Sequence, residues 1–320
     1  GCTVQCSRVT KIPEAGFHQT PEGEGPEYET VWALGANRGI GNLAAIVKAN
    51  YLINDMGMDT LSFGNAVATA MYLYQEGKLT LDDTDGMEFK WGNDAALIES
   101  IYKTAYRNGF GDDLAEGAAR LAQKYGDPDA AIHVRNLSLP AYDPRGVKAH
   151  ALAYATSNRG GCHLRAYMIS PEILGIPEKF DPLEKSLKKV KATIETQNYF
   201  AVIDSLVVCK FLTFAHGPQH TLDLLNALTG WDISMEEMMT IGERIYNAER
   251  LYSVKEGKWI KDYLPKRLIM TPMPEGPVKG HTADVEDMIR DYWKLRGWEE
   301  GKPTAETLKR LGLDEFLGLL

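Results

Sequence analysis

The sequence predicts a mainly α protein, and three observations carry that reading. Apolar residues recur every three or four positions through most of the chain. The periodic stretches are bounded by Gly, Pro or a Ser, Thr, Asp or Asn cap. Strand patterns are scarce, "AIHVRNLSLP" being the best candidate. With 320 residues, 44% of them hydrophobic and 25% charged, the chain can bury a sizeable core and divide in two.

Taken in order, "GNLAAIVKANYLINDMG" reads as a helix stopped at Gly57. "GNAVATAMYLYQEGK", "NDAALIESIYKTAYRNGFG" and "DDLAEGAARLAQKYG" repeat the pattern. The second half offers "DPLEKSLKKVKATIETQNYFAVIDSLVVCKFLTFA", "TLDLLNALTG", "SMEEMMTIGERIYNAERLYSVKEG", "ADVEDMIRDYWKLRGW" and "TAETLKRLGLDEFLGLL". Two stretches lack such periodicity and mix Gly, Pro, aromatics and charge: "EGEGPEYETVWALGANRG" and "LPAYDPRGVKAHALAYATSNRGGCHLRAY". Loops of that length point to function. The second sets a boundary near residue 134, giving two helical domains, 1–134 and 135–320, with long functional loops.

Composition narrows the partners. The net charge of −9, with no basic block to offset it, argues against nucleic acid. "EKSLKKVKAT" alternates with apolar residues and reads as a solvated helix face. No run of about 18 apolar residues appears, so no membrane span is expected. Four cysteines in so long a chain make no disulfide scaffold, and a reducing cytoplasm fits them.

Read from the residues alone, the sites stay open. Cys2 and Cys6 form a CxxxC pair, which is either part of a metal-ligand set or two small buried hydrophobes. Cys162 adjoins His163 in a glycine turn. One short echo is visible, "NDMGMD" at 54–59 and "DSLVVC" at 204–209, and by itself it reads as two helix C-termini. A histidine titrates near about 6.5 and can exchange protons at neutral pH, yet a lone His163 in a glycine loop reads first as structural. The other six histidines (18, 133, 150, 216, 220, 281) have no convergent spacing, although His150 shares the unusual loop of His163. "SNRGG" and "GANRG" follow no strand and are not phosphate loops.

"GPEYETVWALGANRGI", "GMDTLSFGN", "GFGDDLAEG", "LPAYDPRG", "YATSNRGGCH", "DSLVVCKF", "IGERIYNAERLY", "LPKR" and "PMPEGPVKGHT" together resemble, in order and along the whole chain, the aldehyde:ferredoxin oxidoreductase family of tungsten-pterin enzymes. The resemblance covers that family's two C-terminal helical domains, domains 2 and 3. It implies a tungsten or molybdenum bis-pterin, a [4Fe–4S] cluster, ferredoxin as electron partner and a small aldehyde as substrate. It also implies a same-chain partner, the N-terminal β domain that floors the pterin site, without which this portion alone is expected to be inactive.

Residue by residue, the resemblance matches Cys2 and Cys6 to the second and third cysteines of a CxxCxxxC cluster motif and Cys209 to its distant fourth ligand. The first cysteine would stand two residues before Gly1. The echoed hexapeptides match paired D-x-x-G-L-[CD] motifs, one for each pterin: Asn54, Gly57, Met58 and Asp59, then Asp204, Val207, Val208 and Cys209. Asn54 keeps an acceptor without the charge. Val207 stands where glycine is usual, which is costly if the position needs positive φ. Glu29 and His163 match the acid–base residues near the metal, with Glu27 the rival for Glu29. Tyr28 would line the substrate channel, and Arg165 would pair with a pterin phosphate or carbonyl. Lys48 and Tyr51 occupy the positions of an E-x-x-H pair, so no intersubunit iron site is expected. Two alternatives share the scaffold: a low-potential reductase of an aromatic or carboxylic substrate, and a cofactor-free helical interaction protein.

Overall fold

The computed structural model describes residues 4–257 and 261–320, and the chain divides into two compact units, Gly1–Ala141 and Tyr142–Leu320. Cys2 lies outside the described residues.

The first unit starts with a two-stranded antiparallel ladder of β1 (Val9–Thr10) and β2 (Gly23–Glu24). The helices α1 (Tyr28–Leu34), α2 (Leu43–Asp55), α3 (Thr60–Gln75), α4 (Asp94–Ala105), α5 (Phe110–Ala115) and α6 (Ala118–Lys124) follow. Local chemistry sets the starts of the long ones. Asn42 accepts from the amides of Ala44 and Ala45, Asp59 from Ser62, and Asn93 from Ala96, each satisfying amides that a first helical turn leaves unpaired. The faces of these helices meet in a core of Leu34, Ile53, Phe63, Met71, Leu97, Phe110 and neighbours. Each such buried side chain contributes on the order of 1.5–3 kcal/mol by leaving water. A short hairpin, β3 (His133–Val134) and β4 (Leu137–Ser138), closes the unit within the expected strand segment.

The second unit contains α7 (Lys148–Thr156), α8 (Leu187–Ser205), α9 (Pro218–Thr229), α10 (Met235–Lys255), α11 (Lys266–Met270), α12 (Glu286–Arg296), the ladder β5 (Trp298–Glu299) with β6 (Lys302–Pro303), and α13 (Ala305–Arg310). Helix α8 is central and packs on α7, α10 and α12. Gly242 permits a close approach of α10 to α8, because a Cβ there would lie 2.0 Å from the carbonyl oxygen of Asn198. Buried Arg296 ties α12 to α8 through Asn198 at 2.6 Å and Gln197 at 2.8 Å. Among the described residues no helix is long and apolar enough to cross a membrane.

The mainly α class holds, and five stretches differ from the sequence expectation. Both stretches read as aperiodic loops contain a helix: α1 lies in the first and α7 in the second. All nine residues of α7 are buried, so it has no polar face and therefore no period. The stretch 112–126 is divided between the end of α5 and α6, with the break at Gly117, whose φ is +84°. The long periodic run 181–215 is helical only over α8; Cys209 lies beyond its end and opens a 3-10 turn, Lys210–Phe214. The C-terminal run likewise stops at Gly312, φ +66°, and resumes as a 3-10 turn at Asp314–Leu319.

Candidate functional site

The echoed hexapeptides adopt one geometry. At the end of α2 the Gly57 amide donates to Asn54 and the Met58 amide to Ile53; at the end of α8 the Val207 amide donates to Asp204 and the Val208 amide to Ile203. Both are Schellman ends, with the first position of the hexapeptide two residues from the helix cap and the fourth in the left-handed region. Gly57 meets that demand freely at φ +69°. Val207 meets it at φ +57°, a β-branched residue with 91% of its surface exposed. The strain anticipated from the sequence is therefore present, at roughly 1–2 kcal/mol. The sixth residues also correspond: Asp59 caps α3, and Cys209 stands at the N-cap of the 3-10 turn. Asn54 donates to the backbone carbonyl and side-chain oxygen of Asn50, one turn earlier.

Glu29 lies in the first turn of α1. The Ala141 amide donates to its Oε2 at 2.9 Å, while Oε1 is buried with no hydrogen-bond partner among the described residues. Burial pushes this carboxyl above its ordinary value, and the Ala141 amide pulls it back in part. Glu27 is differently placed, exposed and 3.4 Å from Arg8. Tyr28 is 62% exposed. In the same unit Arg38 is fully buried; its Nη1 donates to the Ala33 carbonyl, and burial pushes it down to about 9.

In the second unit a cavity of about 420 Å³ opens beside the end of α8, lined by Arg159, Cys162, Arg165, Asp204, Lys210 and Glu249, with apolar neighbours. Three cations face two carboxylates. Arg165 bridges Asp204 at 3.0 Å and Glu249 at 2.6 Å, and Lys210 pairs with the other oxygen of Asp204. An ionised carboxylate offers about four lone-pair sites, so Asp204 retains capacity for a ligand donor beside these two. The buried Cys162 sulfur accepts from the Leu164 amide at 3.4 Å and from Arg159 at 3.7 Å.

His163 lies next to this cavity in a ring cluster. Its ring centroid is 5.9 Å from that of Tyr142 and 6.2 Å from that of Tyr167, and Tyr167 packs on Phe214 of the 3-10 turn at 5.8 Å. Burial, reinforced by Arg159 and Lys210, pushes His163 down to about 4. It is therefore a neutral imidazole at pH 7, able to accept a proton at one nitrogen and donate at the other.

Cys6 and Cys209 are exposed free thiols, one in each unit. Among the described residues no three His, Cys, Asp or Glu side chains converge on a metal position. Lys48 donates to the Gln19 carbonyl and Tyr51 packs on the core of the first unit.

The structure adds residues that sequence reasoning did not single out. Lys210, Arg159 and Glu249 reach the cavity from three separate segments, and nothing in their spacing signals it. Tyr142 and Tyr167 join His163 because their stretches fold back on α7, a helix invisible to periodicity.

Comparison with known proteins gives a consistent result. Residues 1–313 match the family model described as aldehyde ferredoxin oxidoreductase, domains 2 & 3. The chain is 51% identical over 319 residues to the tungsten-containing aldehyde ferredoxin oxidoreductase of Pyrococcus furiosus, covering 98% of this chain and 52% of that one. It is 50% identical to the protein so named from Thermococcus kodakarensis, covering 99% and 52%. A more distant relative is the aliphatic sulfonate oxidoreductase, WOR-like subunit, of Pyrococcus furiosus, at 30% over 334 residues, covering 98% and 50%. Among solved structures, the active-site complex BamBC of benzoyl coenzyme A reductase superposes with a TM-score of 0.72 at 17% identity, covering 96% of this chain and 51% of that one, a likeness of fold alone. The chain spans about half the length of the curated relatives it matches.

Proposed function

The chain belongs to the aldehyde ferredoxin oxidoreductase family, over that family's domains 2 and 3, and we propose that it is the helical portion of a tungsten-pterin enzyme that oxidises aldehydes to carboxylic acids. The overall reaction balances as aldehyde plus water giving acid, two protons and two electrons, with ferredoxin as the one-electron acceptor. A cytoplasmic setting, where ferredoxin and free thiols persist, belongs to the same reading.

The observation that supports it best is the state of Glu29. A half-buried carboxyl held by one amide, raised by burial and with its second oxygen unpartnered, is a group kept ready for a proton or a ligand donor. His163 complements it as a base that stays neutral. In this reading the pair handles the two protons released, Glu29 at Oε1 and His163 at a ring nitrogen.

The residues present fit the implied groups. Asn54 and Asp204 each stand at an exposed Schellman end, and the cation-lined cavity next to Asp204 suits a phosphate-bearing pterin. Gly57, Met58, Asp59, Val207 and Val208 would offer backbone atoms to the pterin edges, and Arg165, already paired with Asp204, would meet a phosphate or carbonyl. Cys6 and Cys209 have the soft thiolate chemistry an iron–sulfur cluster takes, together with Cys2. When bound, the bis-pterin metal would supply the two-electron chemistry and the cluster the one-electron exit.

The test is aldehyde oxidation by the full-length protein against a viologen dye, with metal analysis alongside. Turnover with tungsten and iron present supports the reading. Metal without turnover on any aldehyde points instead to a reductase on this scaffold, and an intact chain free of both metals to an interaction protein.

A further inference from the structure

His150 on α7 is fully buried, and neither ring nitrogen has a hydrogen-bond partner among the described residues. A neutral imidazole carries one N–H donor and one acceptor, so two polar atoms stand desolvated. Buried polar groups in folded proteins are almost always satisfied, by protein or by ordered water. The rings around it carry hydroxyl groups. Tyr142, Tyr154 and Tyr167 pack on the His150 ring with centroids at 5.6, 4.4 and 6.1 Å. The Tyr142 and Tyr167 hydroxyls share a hydrogen bond of 2.7 Å. Those same two tyrosines touch His163. The two rings that carry this hydroxyl pair thus pack on both histidines.

We propose that His150 and the Tyr142–Tyr167 hydroxyl pair hold at least one buried ordered water, and that this site makes His150 a positioning residue for His163. The inference rests on reading His163 as the proton-handling group. One nitrogen of His150 accepts from the water, or donates to it, and the hydroxyl pair passes that preference to the His163 ring, fixing which of its nitrogens carries the proton. The charged groups around the cluster are few. Arg159 and Lys210 act on His163, and Glu172, paired with Lys189, binds the His150 backbone amide rather than its ring. A charge on His163 would in turn disfavour one on His150, in keeping with their closeness.

The experiment is nitrogen-15 histidine NMR on the full chain, free of cofactor, comparing the parent with His150→Phe and His150→Gln. The expected result is a neutral His150 in one tautomer with a hydrogen-bonded ring nitrogen and exchange to a buried water. His150→Phe should shift the His163 ring nitrogens and move its titration midpoint by about one pH unit, whereas His150→Gln, which keeps a donor and an acceptor, should restore both. Melting gives an independent reading: His150→Phe lowers the midpoint if bonds to water are lost and raises it if the ring was dry. A dry, unbonded His150 in the parent spectrum overturns the proposal even if the phenylalanine variant fails to fold. So does an unchanged His163 in a folded His150→Phe. Absence of aldehyde oxidation in the full-length parent sinks the functional reading of His163 while leaving the water site to the spectrum.

Discussion

Val207 tests how closely this chain keeps its backbone plan when side-chain chemistry opposes it. The Schellman end of α8 demands a left-handed residue, and a valine supplies it at φ +57°. The side chain is almost wholly exposed, so little packing is lost on its removal. Val207→Gly should therefore stabilise the protein by about 1 kcal/mol, less the backbone entropy that glycine costs, as read from urea unfolding. Loss of stability would mean that the left-handed conformation carries no strain at this position. Glu29 sets the opposite case. Its carboxyl is raised by burial, so its ionised form is disfavoured in the folded state above the unfolded value of 4.5. Glu29→Gln should raise the melting temperature at pH 7 and leave it nearly unchanged at pH 4, while lowering kcat of the full-length enzyme by about 10²–10⁴. Both residues were legible in the sequence by resemblance. Their physical state was not, because burial of Oε1 and the Ala141 contact depend on a segment 112 residues away.

Among the elements, α7 shows what sequence periodicity cannot carry. Its N-cap, Val147, makes no side-chain cap. The cap comes instead from Glu172, in the short π turn Ser170–Leu174, whose carboxylate accepts from the Ala149 and His150 amides at 2.9 and 3.0 Å. Lys189 of α8 completes it at 2.7 Å, both side chains being fully buried. No local signal marks such a helix, since its polar partner is more than twenty residues downstream and its faces are all apolar or covered. The long amphipathic helices were readable because their caps are local: Asn42, Asp59, Asn93 and the Ser234–Glu237 capping box of α10. Lys189→Met should cost about 3–5 kcal/mol by stranding the Glu172 charge, and Glu172→Gln added to it should recover part of that loss in a double-mutant cycle. Full additivity would show that the pair does not act as a unit.

For the molecule as a whole, one buried and two partly buried histidines contribute to the response to acid. His133 in the first unit, and His150 and His163 in the second, all lie below 6.5 because burial disfavours their charged forms. In the unfolded chain each takes a proton as pH falls through about 6.5, whereas the folded chain withholds it. The unfolded state then binds more protons, so stability declines as pH falls, and for His163 the decline ends near pH 4, where the folded form protonates as well. Glu29 and Glu172, raised by burial, act in the other sense above 4.5, where the folded state keeps protons that the unfolded state has released. Total stability mixes these slopes, but the difference between the parent and His163→Gln isolates one. That difference should be constant above about pH 7 and change in the glutamine variant's favour by at most about 3 kcal/mol between pH 6.5 and 4. It should then level off. Denaturant unfolding at half-unit pH steps measures it, and a difference that stays flat across the window would show that His163 is not held neutral by the fold.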